Sequence, residues 1–234
     1  LQRFVPPSAR RAGRVITVSE FSKQEIAKYI SGVVDKTRVV HNACPDEIQP
    51  MERAAAQALV RERLELDAPY LLTVGTRWPR KNLNLAIQAA EHLPASLPHR
   101  LAVTGKAGWG EEAAGSRVLT TGYVDSDLLS ALYSGADLYL APARYEGFGI
   151  TLLEAFRAGC PVLASDIPAH REVAGEAAVY AADDAREAWT QAIAELLGDE
   201  TRRQHLIEAG RAREAHFTWE QAARATEAVY RELL

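Results

Sequence analysis

The sequence predicts an α/β fold in which helices cover both faces of a doubly wound parallel β-sheet. Short apolar runs alternate along the chain with longer segments whose apolar residues recur at helical spacing. The short runs are apolar throughout, as expected for strands that are buried on both faces. Of the 234 residues, 47% are apolar, which is enough to build a large core. Regular alternation of strands with helices is typical of parallel sheets.

The predicted strands are short runs rich in Val, Leu and Ile. Ligands of such sheets bind beyond the carboxyl ends of the strands, so candidate site residues should follow directly after a strand. The predicted strands are residues 15–18, 38–41, 70–74, 101–104, 118–121, 138–141 and 162–165.

Helices are predicted wherever apolar residues recur every three or four positions. In the last segment, Trp219, Tyr230 and Leu233 follow this spacing, so we expect an amphipathic terminal helix that needs a surface to lie against. The predicted helices before it are residues 22–30, 52–64, 82–91, 126–134, 149–157, 184–197 and 201–215.

These elements divide the chain into three parts. Residues 1–46 are too few for a domain, and we interpret them as the tail of a preceding domain. Residues 47–216 form the α/β domain, and residues 217–234 form the terminal helix.

Composition and charge exclude several classes of protein. The formal net charge is −4 with both signs interspersed, so a nucleic-acid partner is not expected. No stretch reaches the roughly 20 apolar residues of a membrane span. The two cysteines, Cys44 and Cys160, are far apart in sequence and read as free thiols in a reducing compartment. We therefore expect a cytoplasmic protein.

A cluster of cations follows the strand that ends at Val74. Arg77, Arg80 and Lys81 stand between this strand and the next helix, and Gly75 would let a ligand approach the backbone closely. Cations beside a helix N-terminus form a site for a phosphate or a diphosphate. A solvated basic turn explains the same residues equally well.

A second constellation follows the strand at residues 138–141. Two glycines bracket Phe148 where a strand turns into a helix, and Glu146 and Glu154 flank this turn. Glu154 lies about 7.5 Å along the helix axis, so the two carboxylates could bind hydroxyl pairs on two different sugars. A solvated turn acid and a salt bridge are the simpler interpretations of Glu146 and Glu154. The backbone N–H groups left free at the start of the helix belong to Gly149, Ile150 and Thr151.

The stretch Glu146-Gly-Phe-Gly-Ile-Thr-Leu-Leu-Glu154 resembles the Glu-x7-Glu signature of the family 4 (group 1) retaining glycosyltransferases. This family has the GT-B architecture of two facing Rossmann-like domains. The resemblance covers nearly the whole chain, although Asn42-Ala-Cys-Pro45 stands where many members carry Asn-Gly-Val-Asp. Further similar segments are residues 16–22, 40–42, 75–82, 122–124, 158–162 and 172–175.

The resemblance implies a role for each matching residue. Arg77 and Lys81 would bind the donor diphosphate, and Glu146 would contact hydroxyls of the donor sugar. Apart from the resemblance, we expect Arg80 to matter less for diphosphate binding. Glu154 would bind the ribose. Other donor contacts would come from Gly75, from Tyr123 and Val124 beside the base, and from the turn residues Gly147, Phe148, Gly149, Ile150 and Thr151.

The resemblance also implies the reaction. This chain would be the C-terminal, donor-binding half of an enzyme that transfers a hexose with retention and without a metal or other cofactor. GDP-mannose is the first expectation for the donor, ahead of UDP-linked glucose or N-acetylglucosamine. A glycan, lipid or small-molecule acceptor would bind a preceding N-terminal domain, so the chain alone should bind donor without transferring sugar. Peripheral association with the inner face of the membrane stays open, as do a GT-B epimerase or phosphorylase and a non-catalytic binding module.

Three other motifs have simpler explanations. Asp125 and Asp127 form a DxD pattern, the metal signature of another glycosyltransferase architecture, but they precede an apolar helix and are predicted to cap it. Residues 108–113 match the GxGxxA dinucleotide fingerprint, but too few residues follow for the crossover helix that the motif requires. His170 could line the cleft, and a surface-loop histidine is the simpler interpretation.

Binding of a nucleotide diphosphate sugar should survive an excess of chelator. The physical reason is that the protein supplies its own cations for the diphosphate, while Asp125 and Asp127 are predicted to be helix caps. Calorimetric titration of the protein with GDP-mannose, first in the presence of EDTA and then with Mg²⁺ or Mn²⁺, measures the affinity under each condition. A strong requirement for either metal would restore the DxD motif as a metal site.

Overall fold

A computed structural model describes residues 4–108 and 114–234 of the chain. Within these residues the strands form a small two-stranded parallel sheet, β1 and β2, and a six-stranded parallel sheet in the order β5-β4-β3-β6-β7-β8. The strands are β1 (Val15–Thr17), β2 (Thr37–Val39), β3 (Tyr70–Val74), β4 (Arg100–Thr104), β5 (Val118–Gly122), β6 (Leu138–Ala141), β7 (Val162–Ser165) and β8 (Val179–Ala181).

Ten α-helices accompany these strands in the described part of the chain. They are α1 (Val5–Arg11), α2 (Glu20–Tyr29), α3 (Arg53–Leu64), α4 (Leu83–Glu91), α5 (Ser126–Gly135), α6 (Ile150–Arg157), α7 (Pro168–Ala174), α8 (Arg186–Gly198), α9 (Glu200–Glu214) and α10 (Trp219–Arg231).

The large sheet is doubly wound, and this confirms the predicted fold class. The chain builds β3, β4 and β5 outward to one edge, returns to the middle, and then builds β6, β7 and β8 outward to the other edge. The direction of winding changes between β3 and β6, which are paired at Leu71 with Leu138 and at Leu72 with Tyr139. Ligands of such sheets bind at the carboxyl ends of the strands beside this change of direction.

The two faces of the sheet pack into separate apolar layers. Successive strand residues point to opposite faces. Leu72 and Tyr139 therefore join a cluster with Tyr133 and Phe156, and Leu71 joins a second cluster that contains Trp189. Because both faces are covered, the residues that point to either face must be apolar. This explains why apolar and polar residues do not alternate along the strands.

Three short elements were not predicted from the sequence. Strand β8 lies at the edge of the sheet, and only Ala181 in it is buried, so it carries little apolar signal. Helix α7 begins with Pro168 at its first turn and spans 7 residues, too few for a clear helical repeat. Helix α1 is equally short and also begins with prolines.

The two ends of the chain lie against each other. Glu232, just beyond α10, forms ion pairs with Arg14 at 2.6 Å and with Arg38 at 2.7 Å. The indole Nε1 of Trp219 donates to the Cys44 carbonyl at 3.0 Å. The terminal helix predicted from the sequence thus lies against the first segment, while Tyr230 stays 61% exposed. Among the described residues, no helix combines the length and the apolar character needed to cross a bilayer.

Replacing Trp189 with Ala should lower the free energy of unfolding by about 3–5 kcal/mol, the usual cost of a large cavity in a core. Trp189 is fully buried beneath the sheet, and its indole N–H donates to the Ala182 carbonyl at 2.8 Å. Urea denaturation followed by circular dichroism measures the change. Tyr230→Ala on α10 is the matched control and should change stability by less than about 0.5 kcal/mol. Equal losses in both variants would contradict the packing described here.

Candidate active site

The loops that follow β3 and β6 are tied together beside the change of winding direction. The loop after β3 contains a 3₁₀ turn, Pro79–Lys81, and ends at Asn82 with φ 53°. The Asn82 amide donates to the carbonyls of Pro142, at 3.1 Å, and Asp183, at 2.8 Å. The Arg144 amide in turn donates to the Arg80 carbonyl at 2.8 Å. These bonds hold the loop that contains the predicted cations against the predicted turn that contains Glu146.

Glu146 binds two of the cations in this cluster. One carboxylate oxygen pairs with Nζ of Lys81, and the other accepts from the Arg80 guanidinium at 2.9 Å. Glu146 is only 8% exposed, and the Lys81 side chain is largely buried as well. Glu146 is therefore not the solvated turn acid that the simpler interpretation of the sequence offered.

Arg77 occupies a different place from Lys81. Its backbone N–H donates to the Lys106 carbonyl at 3.3 Å, and its side chain lines a cavity of about 510 Å³ that neither Lys81 nor Glu146 lines. Its Nε is buried and has no hydrogen-bond partner among the described residues. The structure thus brings together Arg80, Lys81 and Glu146, and the diphosphate role of Arg77 stays a prediction.

Close packing of two glycine-containing loops sets the position of Arg77. A Cβ added at Gly105 would lie 2.4 Å from the Gly75 carbonyl oxygen, and one added at Gly108 would lie 2.3 Å from the Arg77 carbonyl oxygen. Neither glycine could carry a side chain without moving the backbone. This close approach accounts for Gly108, the first residue of the GxGxxA match, and residues 109–113 of that match lie outside the described residues.

The turn before α6 exposes backbone amides. Gly149 adopts the left-handed conformation, with φ 94° and ψ 52°, so a residue without Cβ is needed where the turn enters the helix. The amides of Phe148, Gly149 and Ile150 have no hydrogen-bond partner among the described residues. The Phe148 ring anchors the turn against His41 and Phe217, at ring-centroid distances of 5.9 and 5.7 Å. The positive end of the α6 dipole lies at these free amides.

Glu154 is buried in α6 and accepts a hydrogen bond from the Tyr133 hydroxyl at 2.8 Å. Burial raises the pKa of Glu154, while the Tyr133 hydrogen bond and the charge of Lys81 act in the opposite direction. No ion pair to Glu154 occurs among the described residues. The salt-bridge interpretation of this residue is therefore wrong, and the fold holds a carboxylate where ionisation is unfavourable.

His170 is buried under the turn, so its interpretation as a surface-loop histidine is wrong. Its Nδ1 lies 3.0 Å from the Ser165 carbonyl oxygen, and a Cβ added at Gly149 would lie 3.3 Å from its Cδ2. Because a carbonyl only accepts, Nδ1 carries the proton. Burial lowers the pKa of His170, which favours the neutral ring. In the sequence, the one sign that His170 belongs to the site is its position shortly after the strand β7. The short helix α7 that holds it was not predicted.

The surface around the end of β5 carries the remaining predicted residues. Tyr123 is 75% exposed with Lys106 over its ring at 5.2 Å, and Val124 packs against the core. Asp125 caps α5 by accepting from the Leu128 amide at 2.9 Å, as predicted from the sequence. No cluster of His, Cys, Asp and Glu suited to a metal occurs in the described part of the chain.

Comparison with known proteins shows the family of the chain. The family model described as glycosyl transferases group 1 matches residues 57–213. The chain belongs to this family. O-antigen chain mannosyltransferase B of Escherichia coli is 29% identical over 242 residues, which cover 99% of this chain and 64% of that relative. D-inositol 3-phosphate glycosyltransferase of Xylanimonas cellulosilytica is 32% identical, over 76% of this chain and 46% of its own.

Solved structures show the same fold. HepE of Anabaena, solved with UDP and glucose, superposes with a TM-score of 0.84 at 18% identity, over 99% of this chain and 66% of its own. Sucrose-phosphate synthase of Thermosynechococcus elongatus superposes with a TM-score of 0.82 at 24% identity, over 99% and 61%. The six-stranded sheet is thus the Rossmann-like domain of a GT-B glycosyltransferase, and the family resemblance inferred from the sequence is confirmed.

The two carboxylates of the site should respond oppositely to replacement by Gln. The raised pKa of Glu154 means that its neutral form favours the folded state, and this stabilisation is lost as the pH rises through the folded pKa. Glu154→Gln should therefore raise the free energy of unfolding at pH 7.5, and its advantage should shrink toward pH 4. Glu146→Gln should lower it by about 1–3 kcal/mol at pH 7.5, because Lys81 and Arg80 lose their charged partner.

Urea denaturation of both variants and the unmodified chain at the two pH values checks these signs. A Glu154→Gln variant that is less stable than the unmodified chain at pH 7.5 would show that the Tyr133 bond outweighs burial.

Proposed function

We propose that this chain binds a nucleotide diphosphate sugar and that the whole protein transfers its hexose, mannose in the first place, to an acceptor with retention of configuration. The observation that carries the proposal is the pairing of Lys81 and Arg80 with Glu146 beside the free amides at the start of α6. Among the relatives, the O-antigen chain enzyme of Escherichia coli is a mannosyltransferase by name, and this supports mannose.

The chemistry of sugar transfer explains why these groups would be needed. Breaking the bond between the anomeric carbon and the phosphate leaves a nucleoside diphosphate that gains negative charge. Fixed cations and the amides at a helix N-terminus stabilise that charge most strongly in the transition state. In this proposal Lys81 is the cation that stabilises the diphosphate charge, and the amides of Phe148, Gly149 and Ile150 point their N–H dipoles at it.

Donor binding would replace the ion pairs that Glu146 forms with Lys81 and Arg80. In the structure, Lys81 and Arg80 neutralise Glu146. An arriving diphosphate competes for the same cations, and the carboxylate then becomes available to accept hydrogen bonds from the sugar hydroxyls. Glu154 would accept from the ribose hydroxyls, which replace the water that burial removed. The exposed ring of Tyr123 offers the base a surface beside Val124.

The acceptor and the cellular location belong to the proposal as well. The chain spans 64% of the length of the Escherichia coli mannosyltransferase, and the acceptor site would lie in the remaining part of the whole protein. We propose that the reaction takes place in the cytoplasm, at the inner face of the membrane when the acceptor is lipid-linked, and that it uses no metal.

Lys81→Ala should weaken binding of GDP-mannose by about 1.5–3 kcal/mol, the scale of a hydrogen bond to a charged group. The loss of the cation also leaves Glu146 with Arg80 alone as its paired cation among the described residues, so more of its negative charge opposes the diphosphate. Calorimetry with GDP-mannose, UDP-glucose and UDP-N-acetylglucosamine measures the affinities and identifies the base and sugar. Unchanged affinity in a folded Lys81→Ala variant would remove this residue from the site.

Comparison of Arg80→Ala with Arg77→Ala identifies the second cation. The pairing of Arg80 with Glu146 favours Arg80, with a smaller loss than Lys81→Ala because its side chain is 47% exposed. A loss in Arg77→Ala that equals the loss in Lys81→Ala would instead support the sequence-based assignment, with the loop moving when donor binds.

A further inference from the structure

Two hydroxyl groups from the first segment of the chain hold the turn before α6. Ser19 and Ser22 both donate to the Gly147 carbonyl, at 2.5 and 2.9 Å. The Ser19 hydroxyl also accepts from the Ser22 amide at 2.9 Å and so caps α2. The Ser22 hydroxyl takes no part in capping and donates to the Gly147 carbonyl. This pair of bonds joins residues that are more than 120 positions apart in the chain.

The rest of the contact shows that α2 is held firmly against the turn. Glu172 of α7 accepts from the amides of Glu20 and Phe21, at 2.7 and 2.9 Å, so a carboxylate neutralises the positive end of the α2 dipole. A Cβ added at Gly147 would lie 3.3 Å from the Ser22 hydroxyl oxygen. The two elements therefore meet at a distance that a side chain on Gly147 would disturb.

Because the peptide bond is planar, the hydrogen bonds to the Gly147 carbonyl also set the direction of the Phe148 N–H. In a trans peptide the carbonyl and the following N–H point in opposite directions. When the Gly147 carbonyl faces the two serine hydroxyls, the Phe148 N–H must face away from α2. That N–H has no hydrogen-bond partner among the described residues. A rotation of this one peptide plane would aim the N–H elsewhere without breaking the fold.

We propose that Ser19 and Ser22 are positioning residues, which hold the Gly147 carbonyl so that the Phe148 N–H points at the donor. The inference rests on the proposed function and assigns part of the donor site to residues 1–46. It also means that the orientation of the amide depends on where α2 lies. Displacement of α2 would release the peptide plane, so the position of the first segment and the affinity for donor are coupled.

Ser22→Ala is the decisive variant, because Ala is a better helix former and leaves the cap of Ser19 in place. We expect its affinity for GDP-mannose to fall about threefold to tenfold, the equivalent of one hydrogen bond. In the whole protein, the KM for donor should rise more than kcat falls. Ser22→Thr restores the hydroxyl and should recover most of the affinity. Thr201→Ala, in the first turn of α9, is the matched control and should bind donor like the unmodified chain.

A second measurement does not depend on donor. The ¹⁵N and ¹H signals of the Phe148 amide, recorded without ligand, should shift in Ser22→Ala and stay in place in Thr201→Ala. Unchanged donor affinity or an unmoved Phe148 signal in Ser22→Ala would overturn the inference. If the unmodified chain binds none of the nucleotide sugars tested, the proposed function fails, whereas a wrong inference leaves donor binding intact and affects only the response to Ser22→Ala.

Discussion

The change of winding direction between β3 and β6 determines where the candidate site residues lie. All strands of the large sheet are parallel, so their carboxyl ends share one edge, and β3 and β6 are direct neighbours although residues 75–137 separate them in the chain. The loops that follow these strands must then meet. The cation cluster and the carboxylate turn, each ambiguous in sequence, become one site because topology places them side by side.

Burial of a charged carboxylate at this edge of the sheet is unfavourable, and the fold compensates Glu146 and Glu154 to different extents. Glu146 is compensated by two cations. Glu154 has, among the described residues, only the Tyr133 hydroxyl as a hydrogen-bond partner, and it ionises against the effect of burial. An apolar residue would suit the position of Glu154 better if packing alone mattered. A buried carboxylate at such a position is the pattern expected when a residue serves a ligand and not stability.

The sequence predicted the parts of the structure that strong periodicity encodes. β3, β6 and β7 match their predicted bounds, because each is a run of residues buried on both faces. The sequence could not rank the cations after β3. Arg77, Arg80 and Lys81 lie within five positions, and only the 3₁₀ turn at Pro79–Lys81 decides which of them face Glu146. Contacts such as those of Ser22 with Gly147 depend on tertiary packing and leave no local signal.

The ion pairs of Glu232 have a consequence for how the chain can move. They attach α10 to the strands β1 and β2, so both ends of the chain belong to one mechanical unit. This unit is connected to the large sheet twice, near Cys44 and near Thr218, and the bond from Trp219 to the Cys44 carbonyl keeps the two connections side by side. A body held by two adjacent tethers can swing about the line through them but cannot twist freely. The hydrogen bonds that join α2 to Gly147 and to Glu172 are the contacts that such a swing would have to break.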